Sequence, residues 1–170
     1  EDAQYYIEDV RKNIIDRLTY DKVYKQGFNI NTPINLELQK IATDSLRKGL
    51  IEYDKRKGWR GIIANKEYNS NWRRDFSEYK LEKSINWRIS IVRNVNQFST
   101  EIETHDGLKG RIEYDDIKWT KKKFSELLKP GDIIYTKQID TNKFSLKQIP
   151  KINGGIVVMD PYTGRVMALS

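Results

Sequence analysis

The sequence has no cysteine and only one histidine, His105. Disulfides and thiolate chemistry are therefore excluded, and zinc has no adequate ligand set. Neither a phosphate loop nor a dinucleotide fingerprint occurs, so no cofactor and no metal are expected. No apolar run reaches the roughly 18 residues that a membrane-spanning helix needs. Proline is scarce, at 4 residues, and glycine numbers 10. The first residue is Glu1 rather than methionine, and no basic-then-apolar leader follows it, so a trimmed or mid-chain start is expected. Charge is plentiful. Of 170 residues, 32% are charged, and the net charge is +7. That balance suits nucleic acid, an anionic membrane surface or an acidic polymer without choosing among them. The apolar share, 38%, is thin but sufficient for one domain, or one small domain with parts of a second.

The most distinctive stretch is the last. Ile156 to Met159 and Val166 to Leu169 are apolar runs around Asp160-Pro161-Tyr162-Thr163-Gly164, a turn in which Gly164 can take positive φ. Runs apolar on consecutive residues predict strands buried on both faces, deep in a sheet. Either this is a terminal edge hairpin, or the chain is a piece cut where a larger domain begins. At the other end, Ile7, Val10, Ile14 and Leu18 form one stripe, predicting a helix over residues 1–18, with Asp2 and Arg17 suiting its dipole. Residues 19–27 read as a linker. Residues 28–32 alternate and predict a short strand paired with the terminal hairpin. Asn35 reads as an N-cap for a helix of about 18 residues with the stripe Leu38, Ile41, Ala42, Ser45, Leu46, Gly49, Leu50 and Tyr53. Gly49 inside it faces either a close neighbour or open surface.

Lys and Arg outnumber Asp and Glu from Arg47 to Arg74. Arg56, Lys57, Trp59, Arg60, Trp72, Arg73 and Arg74 interleave cations with aromatics, as nucleic-acid surfaces do. The competing reading is a loop whose tryptophans tuck onto the domain body. A helical turn or two is expected over residues 76–83. From Ile85 the period becomes two, with Ile85, Trp87, Ile89 and Ile91 on one face and Asn86, Arg88, Ser90 and Val92 on the other. Further strands are expected over 97–104, 108–114, 133–137 and 144–149, with a short helix or coil over 121–128 and turns at Asp106-Gly107, Pro130-Gly131 and Asn142. Five such strands fit an α+β arrangement with a small five-stranded OB-like barrel inserted between the N-terminal helices and strand and the C-terminal hairpin. A plain meander sheet is the alternative.

Candidate chemistry is sparse. His105 belongs to an exposed turn. Asp115 and Asp116 would point to opposite faces of a strand and form no dyad. Glu101 and Glu103 share a face but lie on a strand that reads as polar and exposed, which argues against a hydrolase pair. Lys121-Lys122-Lys123 reads as a solvated run. Asp160 reads as a turn acceptor. A single-strand nucleic-acid module would use Trp87, Tyr114 and Trp119 for stacking.

Residues 155–169 resemble the opening of the transpeptidase domain in class A penicillin-binding proteins, the bifunctional peptidoglycan synthases. Asn31-Thr32-Pro33-Ile34-Asn35-Leu36-Glu37-Leu38-Gln39 resembles that family's segment joining its two enzymatic halves, with Pro33 and Asn35 departing from the usual Thr and Asp. Tyr53-Asp54-Lys55-Arg56-Lys57-Gly58-Trp59-Arg60-Gly61 resembles the run that follows. The resemblance implies linker helices and a first strand over 1–57, an OB-like insert over 58–150 and a transpeptidase hairpin over 151–170. It implies a non-catalytic region, with the acylated serine of a Ser-x-x-Lys motif and the glycosyltransferase glutamates elsewhere in the parent. It further implies a parent anchored in the bacterial inner membrane and facing the periplasm. The partners implied are the rest of that chain, peptidoglycan and its precursors, and an outer-membrane activator protein; the basic patch by its charge would suit anionic lipid or acidic cell-wall polymer. Nucleic acid is not expected as a partner.

Overall fold

The computed structural model describes residues 3–69, 71–75, 81 and 85–170. Glu1, Asp2 and most of the turn expected over 76–83 lie outside these. The chain divides into two compact units: Glu1–Glu52 with Ile152–Ser170, and Tyr53–Lys151.

In the first unit, α1 (Gln4–Leu18) and α2 (Tyr20–Gln26) meet at Thr19, whose φ of 70° breaks the helical path. The expected linker is thus mostly a second helix, ended by Gly27 at φ 63°. Tyr6 is the buried residue of α1, and its hydroxyl donates to the Val166 carbonyl at 2.9 Å. Ile7, placed in the stripe by its spacing, is exposed. The strand expected over 28–32 does not form. Beyond it, Asn35 N–H bonds Met167 O of the hairpin at 2.9 Å, while Phe28 and Ile30 stay largely exposed.

Asn35 does cap α3 (Leu36–Arg56), accepting from Leu38 N–H at 3.0 Å. The buried face of α3 is Gln39, Ala42, Thr43 and, at its far end, Asp54, with Leu46 and Leu50 half-buried. Ile41 and Tyr53 point to solvent. Gln39 bonds both ways to Leu169, its amide donating to the carbonyl and its oxygen accepting the N–H, each at 2.9 Å. One side chain thereby serves the Val166–Leu169 segment as a neighbouring strand would. Around Gly49, no atom lies within 4 Å of where a Cβ would stand, so it has no close neighbour. Gly49→Ala should therefore stabilise the chain by about 0.5–1 kcal/mol, read as a raised midpoint in thermal unfolding followed by circular dichroism. An unchanged or lowered midpoint would contradict this.

The hairpin pairs β7 (Val157–Met159) with β8 (Val166–Leu169). Asp160 accepts from Tyr162 N–H at 2.9 Å and the Thr163 hydroxyl at 2.6 Å, and Gly164 has φ 70°. The Asp160 carboxyl is held below its ordinary value, chiefly by the Thr163 hydroxyl. The expected deep burial is absent. Ala168 is enclosed, but Val157 and Met159 are exposed, because the described residues supply no third strand.

The second unit is a closed barrel of β2 (Arg88–Val95), β3 (Ser99–Thr104), β4 (Lys109–Glu113), β5 (Asp132–Asp140) and β6 (Lys143–Lys147). Antiparallel pairs join β2 to β3 and β5, β3 to β4, and β5 to β6; a short parallel pair of β4 with β6 closes the ring. This closure excludes the plain meander. A short strand β1 (Ala64–Asn65) adds to β5 from outside. Val92, Ile102, Ile112, Ile134, Phe144 and Leu146 fill the interior. The first helical turns after β4, α5 (Tyr114–Ile117) and the 3₁₀ turn Lys118–Thr120, and then α6 (Phe124–Leu127), contribute Ile117, Phe124 and Leu127 to that core. At Gly110 a Cβ would stand 2.4 Å from the Phe144 ring and 2.7 Å from Asn142 O, so only glycine lets β4 approach β6 there.

The alternation read from Ile85 onward is half the story. β2 is buried on both faces. Ser90 and Val92 turn inward, and Ser90 Oγ lies 2.7 Å from Thr136 Oγ1. Ile89 and Ile91 turn outward into a second apolar cluster with Trp72 and Ile133.

Candidate functional site

The second cluster explains the segment that reads as a basic and aromatic patch. Residues 63–69 and 71–75 run as a strap over the outer face of the barrel. Ile63 N–H bonds Ile133 O, and Lys66 N–H bonds Gly131 O, each at 2.9 Å. Trp72, on the short helix α4 (Trp72–Asp75), is buried in the cluster. Glu103 holds the strap down: it accepts from Tyr68 Oη at 2.8 Å and pairs with Arg73, and Arg93 approaches to 3.8 Å. Arg93 also lies over the Tyr68 ring at 5.0 Å. The bond to Glu103 is the main reason that the Tyr68 hydroxyl titrates above its ordinary value.

Glu103 is thus buried, contrary to the exposed strand expected for it, while Glu101 is exposed. The polar letters of β3 conceal this because the covering layer comes from a distant part of the chain. Engaged by a phenol and two guanidinium groups, Glu103 works as an anchor rather than as half of a carboxylate pair.

The seven patch residues are dispersed. Trp59 packs against the barrel interior and meets Trp119 edge-on at 5.9 Å, whereas Trp72 belongs to the outer cluster. Arg73 also lies over the Trp72 ring, at 5.9 Å. Arg56 and Lys57, both exposed, flank the Tyr53 ring, each at 5.4 Å. Arg74 is exposed on α4. Arg60 pairs with Asp54 at 2.5 Å and donates to Ile149 O at 2.5 Å.

Asp54 is the residue that pattern reading passed over. Lying on the buried side of α3, it also accepts from Gln148 Nε2 at 2.7 Å and from Lys151 N–H at 3.3 Å. Gln148 in turn donates to Gly58 O at 3.0 Å and accepts from Arg60 N–H at 3.2 Å. One carboxylate therefore gathers the first and last residues of the barrel unit. Burial alone would raise its pKa; the bonds from Arg60, Lys151 and Gln148 outweigh this and hold it below the ordinary range. The available signal was position: Asp54 follows Leu46 and Leu50 at steps of four, on one helix face.

The other candidates separate as follows. Asp115 and Asp116 sit on the helical turn α5, not on a strand. Asp115 pairs with exposed Lys118 at 2.7 Å. Asp116 is half-buried, with Lys143 at 3.8 Å, and burial pushes its carboxyl up. His105 is exposed, as is Lys121-Lys122-Lys123. Of the aromatics considered for stacking, Trp119 packs on the barrel core and donates to Asp116 O at 3.1 Å, Trp87 lies 6.5 Å from Tyr135, and Tyr114 is exposed. Among the described residues, no group of three or more His, Cys, Asp or Glu is arranged to hold a metal.

The Ser-x-x-Lys tetrad, expected only in the parent's missing parts, does occur here as a bare pattern. Ser45-Leu46-Arg47-Lys48 lies on α3 with Ser45 and Lys48 exposed, and Ser77-Glu78-Tyr79-Lys80 lies outside the described residues. Ser84-Ile85-Asn86 likewise spells Ser-x-Asn, with Ser84 outside them; Lys-Thr-Gly is missing from the sequence. Two fixed positions recur readily by chance. An exposed serine on a helix flank has no enclosed site around it, so Ser45 is not assigned a catalytic role.

Comparison with known proteins places these features. A family model described as the penicillin-binding protein OB-like domain matches residues 59–152. Penicillin-binding protein 1A of Rickettsia prowazekii (strain Madrid E) is 35% identical over 171 residues, covering 98% of the chain and 22% of that protein. The protein of the same name from Escherichia coli (strain K12) is 25% identical over 184 residues, covering 98% and 21%. The crystal structure of penicillin-binding protein 1A from Haemophilus influenzae superposes with a TM-score of 0.72 at 25% identity, covering 98% of the chain and 25% of that one. The chain thus spans about a fifth of the length of the curated relatives it matches.

Proposed function

The chain belongs to the penicillin-binding protein family and carries its OB-like domain, and from that premise we propose that it is a non-catalytic region that positions the two active sites of a bifunctional peptidoglycan synthase. On this reading residues 1–57 supply linker helices, 58–150 the insert and 151–170 the opening of a transpeptidase domain. The parent is anchored in the inner membrane and works on its periplasmic side. Among the described residues, no helix is long and apolar enough to cross a membrane. The insert's partners are the rest of the parent chain, cell-wall polymer and an outer-membrane activator protein.

The observation that carries the proposal is the Asp54 junction. Asp54, Arg60, Gln148, Ile149 and Lys151 meet within one hydrogen-bonded knot, so the barrel leaves the chain close to where it starts. A unit built this way can interrupt a host domain without separating the two ends it interrupts. The test is to replace residues 59–150 in the full-length parent by a short Gly-Ser linker. Labelled penicillin should still acylate the protein, while the glycan it polymerises should be several-fold less cross-linked. Loss of acylation would assign the insert a part in catalysis, and unchanged cross-linking would remove the positioning role; either result overturns the proposal.

A further inference from the structure

Between α1 and α2 the chain folds back on a single residue. Thr19 has φ 70° and ψ 151°, a region of backbone space that glycine occupies and a β-branched residue avoids. The hydrogen-bond ladder still runs through it: Thr19 N–H bonds Ile15 O at 2.9 Å, and Val23 N–H bonds Thr19 O at 3.2 Å. Arg11 Nη1 lies 3.4 Å from Tyr24 Oη. A continuous helix would set those two backbones about 20 Å apart, too far for this contact. Helices that reverse direction usually do so over a connection of two to five residues, not one. Nothing in the local sequence demands a break, because residues 4–26 contain neither glycine nor proline. An apolar groove of about 430 Å³ lies at the fold-back, lined by Val10 and Ile14 of α1, Val23 of α2 and, from the segment that follows, Ile30. Val23 is half-buried there.

Backbone strain of this kind persists only where the surroundings hold it, and it marks segments that switch. Val23 in the groove and the exposed Arg11–Tyr24 contact tie α2 to α1. Released from them, residues 4–26 can run as one helix about 35 Å long. The chain has the slack for this. Tyr6 is fixed to Val166 and Asn35 to Met167, neighbouring residues of β8. A straight helix carries the chain about 30 Å from Tyr6 to Gln26. Residues 27–35 form neither helix nor strand and can span about 30 Å on the way back. We propose that Thr19 is the hinge of a two-position joint. In one position α2 is folded onto α1 with Val23 seated in the groove; in the other α2 continues α1 in line and the groove stands open. The joint is a property of residues 4–35 and does not depend on the positioning role.

Because the sequence lacks cysteine, Asp9→Cys with Lys25→Cys places a pair of nitroxide labels on α1 and α2 of the 170-residue chain and nowhere else. Double electron–electron resonance should then give two distances, one of about 24 Å from the continuous helix and a shorter one from the folded-back pair. Thr19→Gly should lower the ratio of long to short severalfold, since glycine accepts the positive φ and disfavours the helix. Thr19→Ala should raise it about threefold, because alanine keeps the strain at the reversal and is the better helix former. Val23→Ala should raise it too, by weakening the seat in the groove. A second pair, Glu37→Cys with Glu52→Cys on α3, should read one distance in every variant, which shows that the fold is kept. A single α1–α2 distance that none of the three substitutions moves overturns the proposal, as does a shift in the same direction by Thr19→Gly and Thr19→Ala.

Discussion

Replacing Asp54 by alanine is expected to destabilise the barrel unit by about 3 kcal/mol, because it removes the buried charged acceptor that Arg60, Gln148 and the Lys151 N–H share. Asp54 is 2% exposed, and its side chain faces Arg60, Gln148 and the Lys151 backbone. Without the carboxylate, Gln148 keeps Gly58 O as its acceptor, and Arg60 keeps Ile149 O. The Lys151 N–H keeps nothing from that side chain. Asp54→Asn retains an oxygen acceptor and loses the charge, so it should fall between wild type and alanine. Tryptophan fluorescence in urea is the right reading, since Trp59, Trp72, Trp87 and Trp119 all lie within Tyr53–Lys151. The pH dependence has a definite sign. A carboxyl held below its unfolded value contributes stability that is complete above that value and is lost as pH falls through the folded one, below about pH 4. The wild type should therefore lose this increment on acidification, and Asp54→Ala should not. A loss smaller than about 1 kcal/mol would show that the junction is held by other contacts.

The barrel was legible in the sequence because its signals are local. Asp106-Gly107, Pro130-Gly131 and Asn142 mark the turns, and the alternation of β3 to β6 follows from an interior on one side. Pairing across the ring was legible only as a count of strands. What stayed hidden was the outer layer. Strand β2 looked two-faced, and its outward residues Ile89 and Ile91 gave no hint that Trp72 would cover them. The same layer buries Glu103, whose letters read as exposed. Cations beside tryptophans therefore looked like a surface for a ligand, although Trp59 and Trp72 belong to different clusters and Arg60 and Arg73 each hold a carboxylate.

In the first unit, spacing found the helices but misjudged their buried sides. Tyr6 is buried instead of Ile7 because its hydroxyl reaches a carbonyl of β8, and a polar tip with an apolar body satisfies both needs. Gln39 replaces a strand partner by donating and accepting along β8, a role that no hydrophobic period can announce. The residue that was legible for a physical reason is Asn35, where a side-chain oxygen placed before an apolar stripe can do little else than cap.

Lys147→Met is expected to stabilise the barrel unit near neutral pH by about 1–2 kcal/mol, a figure set below the full pKa displacement because the side chain is only half-buried. The ammonium titrates at about 8 in the folded chain and near 10.4 when unfolded. Between those values the unfolded chain holds more protons, so raising pH favours the folded state. The penalty is therefore complete below about pH 8 and gone above about 10.5, and the advantage of methionine should fade across that window. Urea midpoints followed by tryptophan fluorescence from neutral to alkaline pH would show it. An advantage independent of pH would mean that methionine gains by packing alone.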